Sequence, residues 1–528
     1  MNIAAMLRDR ARQYSNSPAL IDTKHSRDRV ISFGELNAIA ARVAGEIASL
    51  GMRQRDCVLI LYPMAIELYV FLIALFRIGA VGMFLDPSAG RKHIDHCMSV
   101  YSPRAFFGSW KAQMLRLWTP SLRQISMSFC TSRFPATHFI SLHGKAESEP
   151  AIADVEDSAP ALITFTSGST GQPKAALRTH GFLAAQQDAL QGSLSLRPSD
   201  CDLTTLPIFV LSNLASGVTS VLPDADMRAP GKIDARPVLN QIERHAVATT
   251  AASPAFIRRL AVECGRTNRR IPQLQHVFLG GAPVFPADLR MARDLFPNAE
   301  ITAVYGSTEA EPMAHVHLSQ IAEVDIMEME RGSGLLAGVP VASIALRILR
   351  DQWGMPISPM TKLQFDALCL ARREVGEIVV SGRHVLPSYL NGAGDSETKF
   401  DVDGMRWHRT GDLGWLDSRE RLWLMGRASA AIRDRHGILY PFAAECAAMQ
   451  VQGVRRAAIL QVGGRRILAV EAGHDDVRGA LLRVMAWAHL DEVRALASIP
   501  MDKRHNAKID YVSLAAALSR PAGSWHRR

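Results

Sequence analysis

Leu162-Ile163-Thr164-Phe165-Thr166-Ser167-Gly168-Ser169-Thr170-Gly171-Gln172-Pro173-Lys174 decides how this chain is read. An apolar strand over 161–166 runs straight into a loop with four hydroxyl side chains (Thr166, Ser167, Ser169, Thr170), two glycines and a closing lysine. Glycine allows positive φ and close approach of the backbone to an anion. Exposed N–H groups, hydroxyls and a lysine charge can then surround phosphate oxygens. The loop is not a Walker A motif, because Pro173 precedes the lysine and Ala175 follows it.

Upstream, residues 57–84 are nearly all apolar and long enough to span a bilayer. Pro63, Glu67 and Arg77 interrupt the run. It divides into a strand over 57–62, a helix over 64–78 and a strand over 81–85, which is a βαβ unit with a buried crossover helix. The alternation continues with helices over 35–50, 90–101 and 287–295, and with strands over 105–108, 247–251, 276–280 and 301–305. Further on, short strands over 376–381, 414–416 and 422–425 suggest an antiparallel unit. A strand pair over 457–462 and 466–471 and a helix over 477–487 complete a small C-terminal unit.

Composition sets outer limits. The 528 residues are 48% apolar and 21% charged, as in an ordinary globular protein with a large core. The net charge of +9 is spread thinly, and runs such as Arg8-Asp9-Arg10 lack interleaved aromatics. That pattern predicts a solvated surface with a mild pull on anionic substrates and no nucleic-acid partner. Seven scattered cysteines without CxxC spacing, and no basic-then-apolar leader, predict a reduced, cytoplasmic protein with no transmembrane segment.

The loop 166–174 resembles the phosphate-binding loop of the acyl-adenylate-forming superfamily, and further segments match in order. Gly280-Gly281-Ala282-Pro283 is similar to the turn that lies against adenine. Tyr305-Gly306-Ser307-Thr308-Glu309 resembles a Tyr-Gly-x-Thr-Glu segment. In that reading Tyr305 borders the adenine, Thr308 contacts the α-phosphate and Glu309 holds Mg2+. A carboxylate beside a triphosphate calls for a hard cation between them. Thr410-Gly411-Asp412 resembles the element whose Asp412 binds the ribose, Gly426-Arg427 the opening of the hinge, and Lys508 the C-terminal catalytic lysine.

The resemblance implies an α/β fold: a large N-terminal domain, 1–426, of stacked mixed sheets flanked by helices, with a distorted β-barrel subdomain. A small α+β lid, 427–528, follows and carries Lys508. It also implies ATP- and Mg2+-dependent conversion of a carboxylic acid to acyl-AMP, with Thr308, Glu309 and Lys508 catalytic. The nucleotide would be held by Thr166, Ser167, Gly168, Ser169, Thr170, Gly171, Lys174, Gly281, Ala282, Pro283, Tyr305, Gly306, Asp412 and Arg427. Phe209, Val210, Leu211 and Ser307 would line an apolar pocket, which suits a fatty-type acid.

The expected second step transfers the acyl group to a thiol, of CoA or an acyl carrier protein. Three departures from the family pattern, Val210, Ser429 and Ala507, fall where lid and acceptor act. The run 502–509, together with Asp86-Pro87, Leu222-Pro223-Asp224 and Trp407-His408-Arg409, is instead similar to the β-lactone synthetases of olefin biosynthesis, in which the acid's own 3-hydroxyl displaces AMP. A non-catalytic nucleotide or acyl sensor is the alternative of another class, and the joint presence of Lys174, Glu309, Asp412, Arg427 and Lys508 counts against it.

Overall fold

The segment 57–84 folds inward. In the computed structural model, which describes residues 2–86, 90–144, 150–167, 173–472, 477–501 and 509–519, every residue of the helix Ile66–Arg77 is buried. Both of its charged side chains bond within the protein. Glu67 accepts from Arg29 at 2.8 and 2.9 Å, and Arg77 donates to Asn37 Oδ1 at 3.0 Å and Pro150 O at 3.1 Å. Phe71 stacks on Phe107 with ring centroids 3.9 Å apart. The helix joins the strands Cys57–Leu61 and Val81–Phe84, which pair in parallel, as the alternation predicts. No helix among the described residues is long and apolar enough to cross a membrane.

These strands are central to a seven-stranded sheet. From one edge its order is His138–Phe139, Met127–Cys130, Ala105–Gly108, Cys57–Leu61, Val81–Phe84, Pro160–Ser167 and Pro173–Thr179. All pairs are parallel except the last, an antiparallel hairpin in which Thr166 pairs with Lys174 and Ser167 with Pro173. Residues 168–172 between them lie outside the described residues.

A fourteen-stranded sheet forms the second layer. Its parallel part runs through Pro18–Lys24, Thr219–Val221, Cys201–Thr204, Thr249–Ala252, His276–Leu279 and Glu300–Ser307. The helices Ala235–Arg244, Pro254–Thr267 and Pro286–Leu295 contribute apolar faces to the core built on these strands. Beyond Glu300–Ser307 every pair is antiparallel: Ala310–His317, Leu335–Pro340, Leu422–Arg427, Met405–Leu416, Gly376–Ser381 and Ala345–Leu349. The subdomain expected as a distorted barrel is this antiparallel end. The strand expected over 414–416 is a twelve-residue strand, Met405–Leu416. A register shift between Leu413 and Gly414 and a run of five buried residues, Trp407 to Gly411, erase the two-residue alternation by which strands are recognised.

After residue 426 come the hairpin Ile432–Asp434/Gly437–Leu439 and a three-stranded sheet of Val454–Val462, Arg465–Ala472 and Glu492–Ala495. Packed with them are the helices Pro441–Met449, Val477–Val484 and Tyr511–Leu518. The helix expected over 477–487 stops at Val484, and a single 3-10 turn, Ala486–Ala488, follows it. The core is continuous across residue 426: Ala443, Ala447 and Leu468 belong to one buried cluster with Leu335 and Leu424.

Glu445 is buried in this C-terminal unit, where its Oε1 accepts from Tyr511 Oη at 2.8 Å and Ile459 N at 3.2 Å. Burial pushes its carboxyl up to about 8, against those two hydrogen bonds. The unfolded chain loses this proton near about 4.3. Between the two values the folded state binds more protons than the unfolded state, so stability falls as pH rises. Glu445→Gln should remove that slope. Its unfolding free energy from urea titration should lie close to the native value near about pH 5 and exceed it near about pH 8, by on the order of 2–4 kcal/mol. Equal differences at both pH values would sink this assignment.

Candidate active site

The hairpin Glu300–Ser307/Ala310–His317 sets Thr308 and Glu309 on its turn. The turn faces the strand Pro173–Thr179, which leaves the candidate phosphate loop. Arg178 on that strand is buried, and its guanidinium donates to Thr164 Oγ1 at 3.0 Å and to Thr308 O at 3.0 Å. A second tie comes from residues 385–399. Leu386 N donates to Glu309 O at 2.7 Å, and Tyr389 Oη to Glu309 Oε1 at 2.7 Å. Lys174 is buried with its Nζ 3.0 Å from Glu397 Oε2 and 5.5 Å from the Tyr389 ring centre. Gly394 has φ +94°, and a Cβ there would overlap the lysine tip, so that position requires glycine.

Lys399 Nζ also lies near Tyr389, 5.4 Å from the ring centre, and donates to Leu386 O. Burial lowers this ammonium to about 7, although Glu309 and Asp395 pull the other way. His408 is buried, donates from Nδ1 to Thr398 O at 3.2 Å, and is driven down to about 3 by burial and by Lys399. It is therefore uncharged at neutral pH. Burial alone would raise the Glu309 carboxyl, yet it is held below the usual carboxylate range. With His408 neutral, the Tyr389 hydrogen bond and the Lys399 charge supply that stabilisation. Two residues on, burial pushes Glu311 up to about 7 against the pull of Arg178.

A second cluster gathers three of the expected nucleotide contacts. Asp412 and Arg427 are cross-strand partners. Arg427 Nε lies 3.2 Å from Asp412 Oδ1, and Tyr305 Oη donates to Asp412 Oδ2 at 2.8 Å. Arg427 also donates to Thr410 O at 2.9 Å. Tyr305 and Glu309 are four residues apart, on the strand and the turn of one hairpin, so the two clusters are joined through it.

The other expected residues fall as follows. Gly281 (φ +73°), Ala282 and Pro283 form the turn between His276–Leu279 and Pro286–Leu295, next to the strand bearing Tyr305. Gly306 and Ser307 end that strand. Phe209, Val210 and Leu211 lie on the helix Pro207–Ser216. Phe209 is buried with Leu190, Leu194, Ala251 and Phe278, whereas Val210 and Leu211 join the core around Ile66–Arg77. For Thr166 and Ser167 the structure gives backbone pairing. Gly168, Ser169, Thr170, Gly171 and Lys508 lie outside the described residues.

Sequence reasoning missed Arg178, Tyr389, Glu397 and Lys399 and gave His408 no role. Arg178 carried a usable signal, a lone arginine in the otherwise apolar run Ala175-Ala176-Leu177. Tyr389, Glu397 and Lys399 had none, because the segment reads as a polar loop.

The chain belongs to the AMP-binding enzyme family, whose model matches residues 7–390. It is an adenylate-forming ligase, and ATP is its nucleotide substrate. It is 30% identical to an olefin β-lactone synthetase of Stenotrophomonas maltophilia, over 98% of each chain. Among solved structures it is similar to the amide bond synthetase McbA of Marinactinospora thermotolerans, with a TM-score of 0.82 and 20% identity over 98% of this chain and 99% of that one. It also resembles an O-succinylbenzoate coenzyme A synthetase of Bacillus subtilis in complex with ATP and magnesium ion, with a TM-score of 0.75 and 22% identity over 98% and 99%.

Arg178 holds the turn through a fork that lysine cannot reproduce. Arg178→Met should lower the rate of ATP–pyrophosphate exchange by about 10- to 100-fold through misplacement of Thr308 and Glu309. Arg178→Lys should fall between the two. An exchange rate unchanged in Arg178→Met, with the protein folded by circular dichroism, would refute the positioning role.

Proposed function

We propose that this enzyme converts a fatty-type carboxylic acid to its acyl-adenylate with Mg2+ and ATP, releasing pyrophosphate, and that a 3-hydroxy substrate then closes to a β-lactone. The adenylation reading is supported by two side-chain clusters, Lys174 with Glu397, Tyr389 and Glu309, and Tyr305 with Asp412 and Arg427, linked through the hairpin that carries Tyr305 and Glu309. The ring-closing step is supported by the likeness to the β-lactone synthetase along the whole of both chains.

The residues suit a magnesium–nucleotide complex. No group of three or more His, Cys, Asp or Glu side chains able to hold a metal occurs among the described residues. One ionised carboxylate, Glu309, fits a cation that completes its shell with phosphate oxygens and water. When bound, Mg2+ supplies charge neutralisation on the phosphates. Lys174 offers a cation at the end of the phosphate loop, and Tyr389 keeps the Glu309 carboxylate oriented. Asp412 has the two oxygens needed to accept from both ribose hydroxyls, with Arg427 beside it.

In the first step a substrate carboxylate oxygen bonds to the α-phosphorus and the bond to pyrophosphate breaks. Lys508 is assigned the role of stabilising that developing charge. Residues 427–528 would act as a lid hinged at Gly426-Arg427, and rotation would withdraw Lys508 once acyl-AMP has formed. In the second step the substrate's 3-hydroxyl oxygen bonds to the acyl carbon, its proton leaves and AMP departs. Transfer to a CoA or carrier-protein thiol is the second reading, supported by the likeness to a coenzyme A synthetase fold. We place the enzyme in the cytoplasm.

Incubation with ATP, Mg2+ and medium- or long-chain acids, with or without a 3-hydroxyl and with or without CoA, separates these readings. AMP release and lactone formation from 3-hydroxy acids alone are expected. AMP release that requires CoA would sink ring closure and leave the thioester reading. Lys508→Ala should lower pyrophosphate exchange by roughly 100-fold or more while nucleotide binding persists. Full exchange activity in that variant would overturn its role.

A further inference from the structure

The positive charge is less evenly spread than the sequence suggests. From His96 to Ala146 there is no aspartate or glutamate, while Arg104, Lys111, Arg116, Arg123, Arg133 and Lys145 are basic. Within this span lies the helix Trp110–Trp118, which crosses from Ala105–Gly108 to Met127–Cys130 with Ala112 and Leu115 partly buried against the core around Phe106 and Ile125. Its one fully buried residue is Gln113, which donates to Phe129 O at 3.0 Å and accepts from Ser128 Oγ at 3.0 Å. Arg116, on the same flank, donates to Ile125 O at 3.1 Å. The outward face holds Trp110, Met114, Leu117 and Trp118, which are 55%, 40%, 48% and 78% exposed. At about 100° per residue these four fall within an arc of about 100°.

A helix on a globular protein ordinarily buries its apolar stripe and shows its polar one. Here Ala112, Gln113 and Leu115 face the protein, and a further apolar stripe faces out. Phe139 is also half-exposed, on the edge strand His138–Phe139 beside Met127–Cys130. Lys111, Arg123 and Arg133 are exposed and make no ion pair among the described residues. Lys111 Nζ sits 5.6 Å from the Trp110 ring centre.

We propose that this face docks the enzyme on an anionic lipid bilayer. Tryptophans at both ends of an apolar stripe, flanked by unpaired cations, match the demands of the headgroup boundary. Each cation near such a surface adds attraction that salt screens. Charge complementarity selects this occupant over a second copy of the chain, because two such faces would set cation against cation. The helix has nine residues, so it lies in the interface rather than crossing it. Trp110 follows the C-terminal end of Ala105–Gly108. Through the parallel strands Cys57–Leu61 and Val81–Phe84, that is the sheet edge at which Pro160–Ser167 enters the phosphate loop. Docking therefore sets one edge of the catalytic domain against the membrane. The inference rests on this surface alone and stands whichever acid is the substrate.

Sedimentation of the full-length protein with vesicles of phosphatidylcholine, alone or with about 30% phosphatidylglycerol, tests it. Binding to the anionic vesicles is expected, and it should weaken several-fold at about 0.5 M salt. Trp110→Ser combined with Trp118→Ser should reduce it by about tenfold or more, with circular dichroism and pyrophosphate exchange on a water-soluble acid unchanged. Absence of binding by the native protein would overturn the proposal, as would undiminished binding by the variant. A native dimer that the variant dissolves, without vesicle binding, would assign the face to self-association and equally overturn it.

Discussion

Arg178 couples the two sheets at the point where chemistry is expected. A buried guanidinium must find acceptors or its burial is strongly unfavourable. On one side it finds Thr164, on the strand that enters the phosphate loop, and on the other the carbonyl of Thr308, on the turn that bears Glu309. The first strand belongs to the seven-stranded sheet and the turn to the fourteen-stranded one. The position of the strand Pro160–Ser167 relative to the turn bearing Glu309 is thereby tied to the partners of one buried guanidinium. Backbone bridges reinforce the junction, between Ala176 and Tyr389 and between Ala310 and Val385.

Around that junction the chain concentrates charges it could have left in water. Lys174, Lys399 and Arg409 are all buried, and each leans on the segment 385–399 or its neighbours. Arg409 is matched by Glu377 in a two-pronged pair at 2.7 Å and by the carbonyls of Met355 and Glu397. Glu397 in turn faces Lys174. Through Glu397 the short helix Asp395–Thr398 thus bonds to both Lys174 and Arg409. A site that must take a highly anionic substrate has its positive field preorganised by such packing rather than by flexible surface side chains.

The apolar segments of the first 140 residues show how far hydrophobicity alone can mislead. Residues 66–77 form a strongly apolar helix that is wholly buried, with Glu67 paired to Arg29 and Arg77 hydrogen-bonded to Asn37 and Pro150. Residues 110–118 are far less apolar overall, yet they carry the exposed tryptophans. Which face of a helix meets water depends on what the sheet beneath it offers, and here the sheet offers Phe129 O and Ser128 Oγ to Gln113.

The sequence by itself determined the α/β character, the βαβ start and the segments expected to supply the nucleotide contacts, because strand–loop–helix alternation and loop chemistry are local properties. Tyr305, Asp412 and Arg427 were legible in this way, each in its own short motif. Only the tertiary structure decided that Asp412 and Arg427 are cross-strand partners with Tyr305 bonded between them. It also brought in Arg178, Tyr389, Lys399 and His408. Lys399 and His408 are buried and bond to the nearer carbonyls of Leu386 and Thr398. For Tyr389 and Arg178 the role comes from burial and from partners 80 and 130 residues away, Glu309 and Thr308. Composition and spacing encode no such long-range pairing. It arises when two sheets close over one another and every buried charge has to find an acceptor.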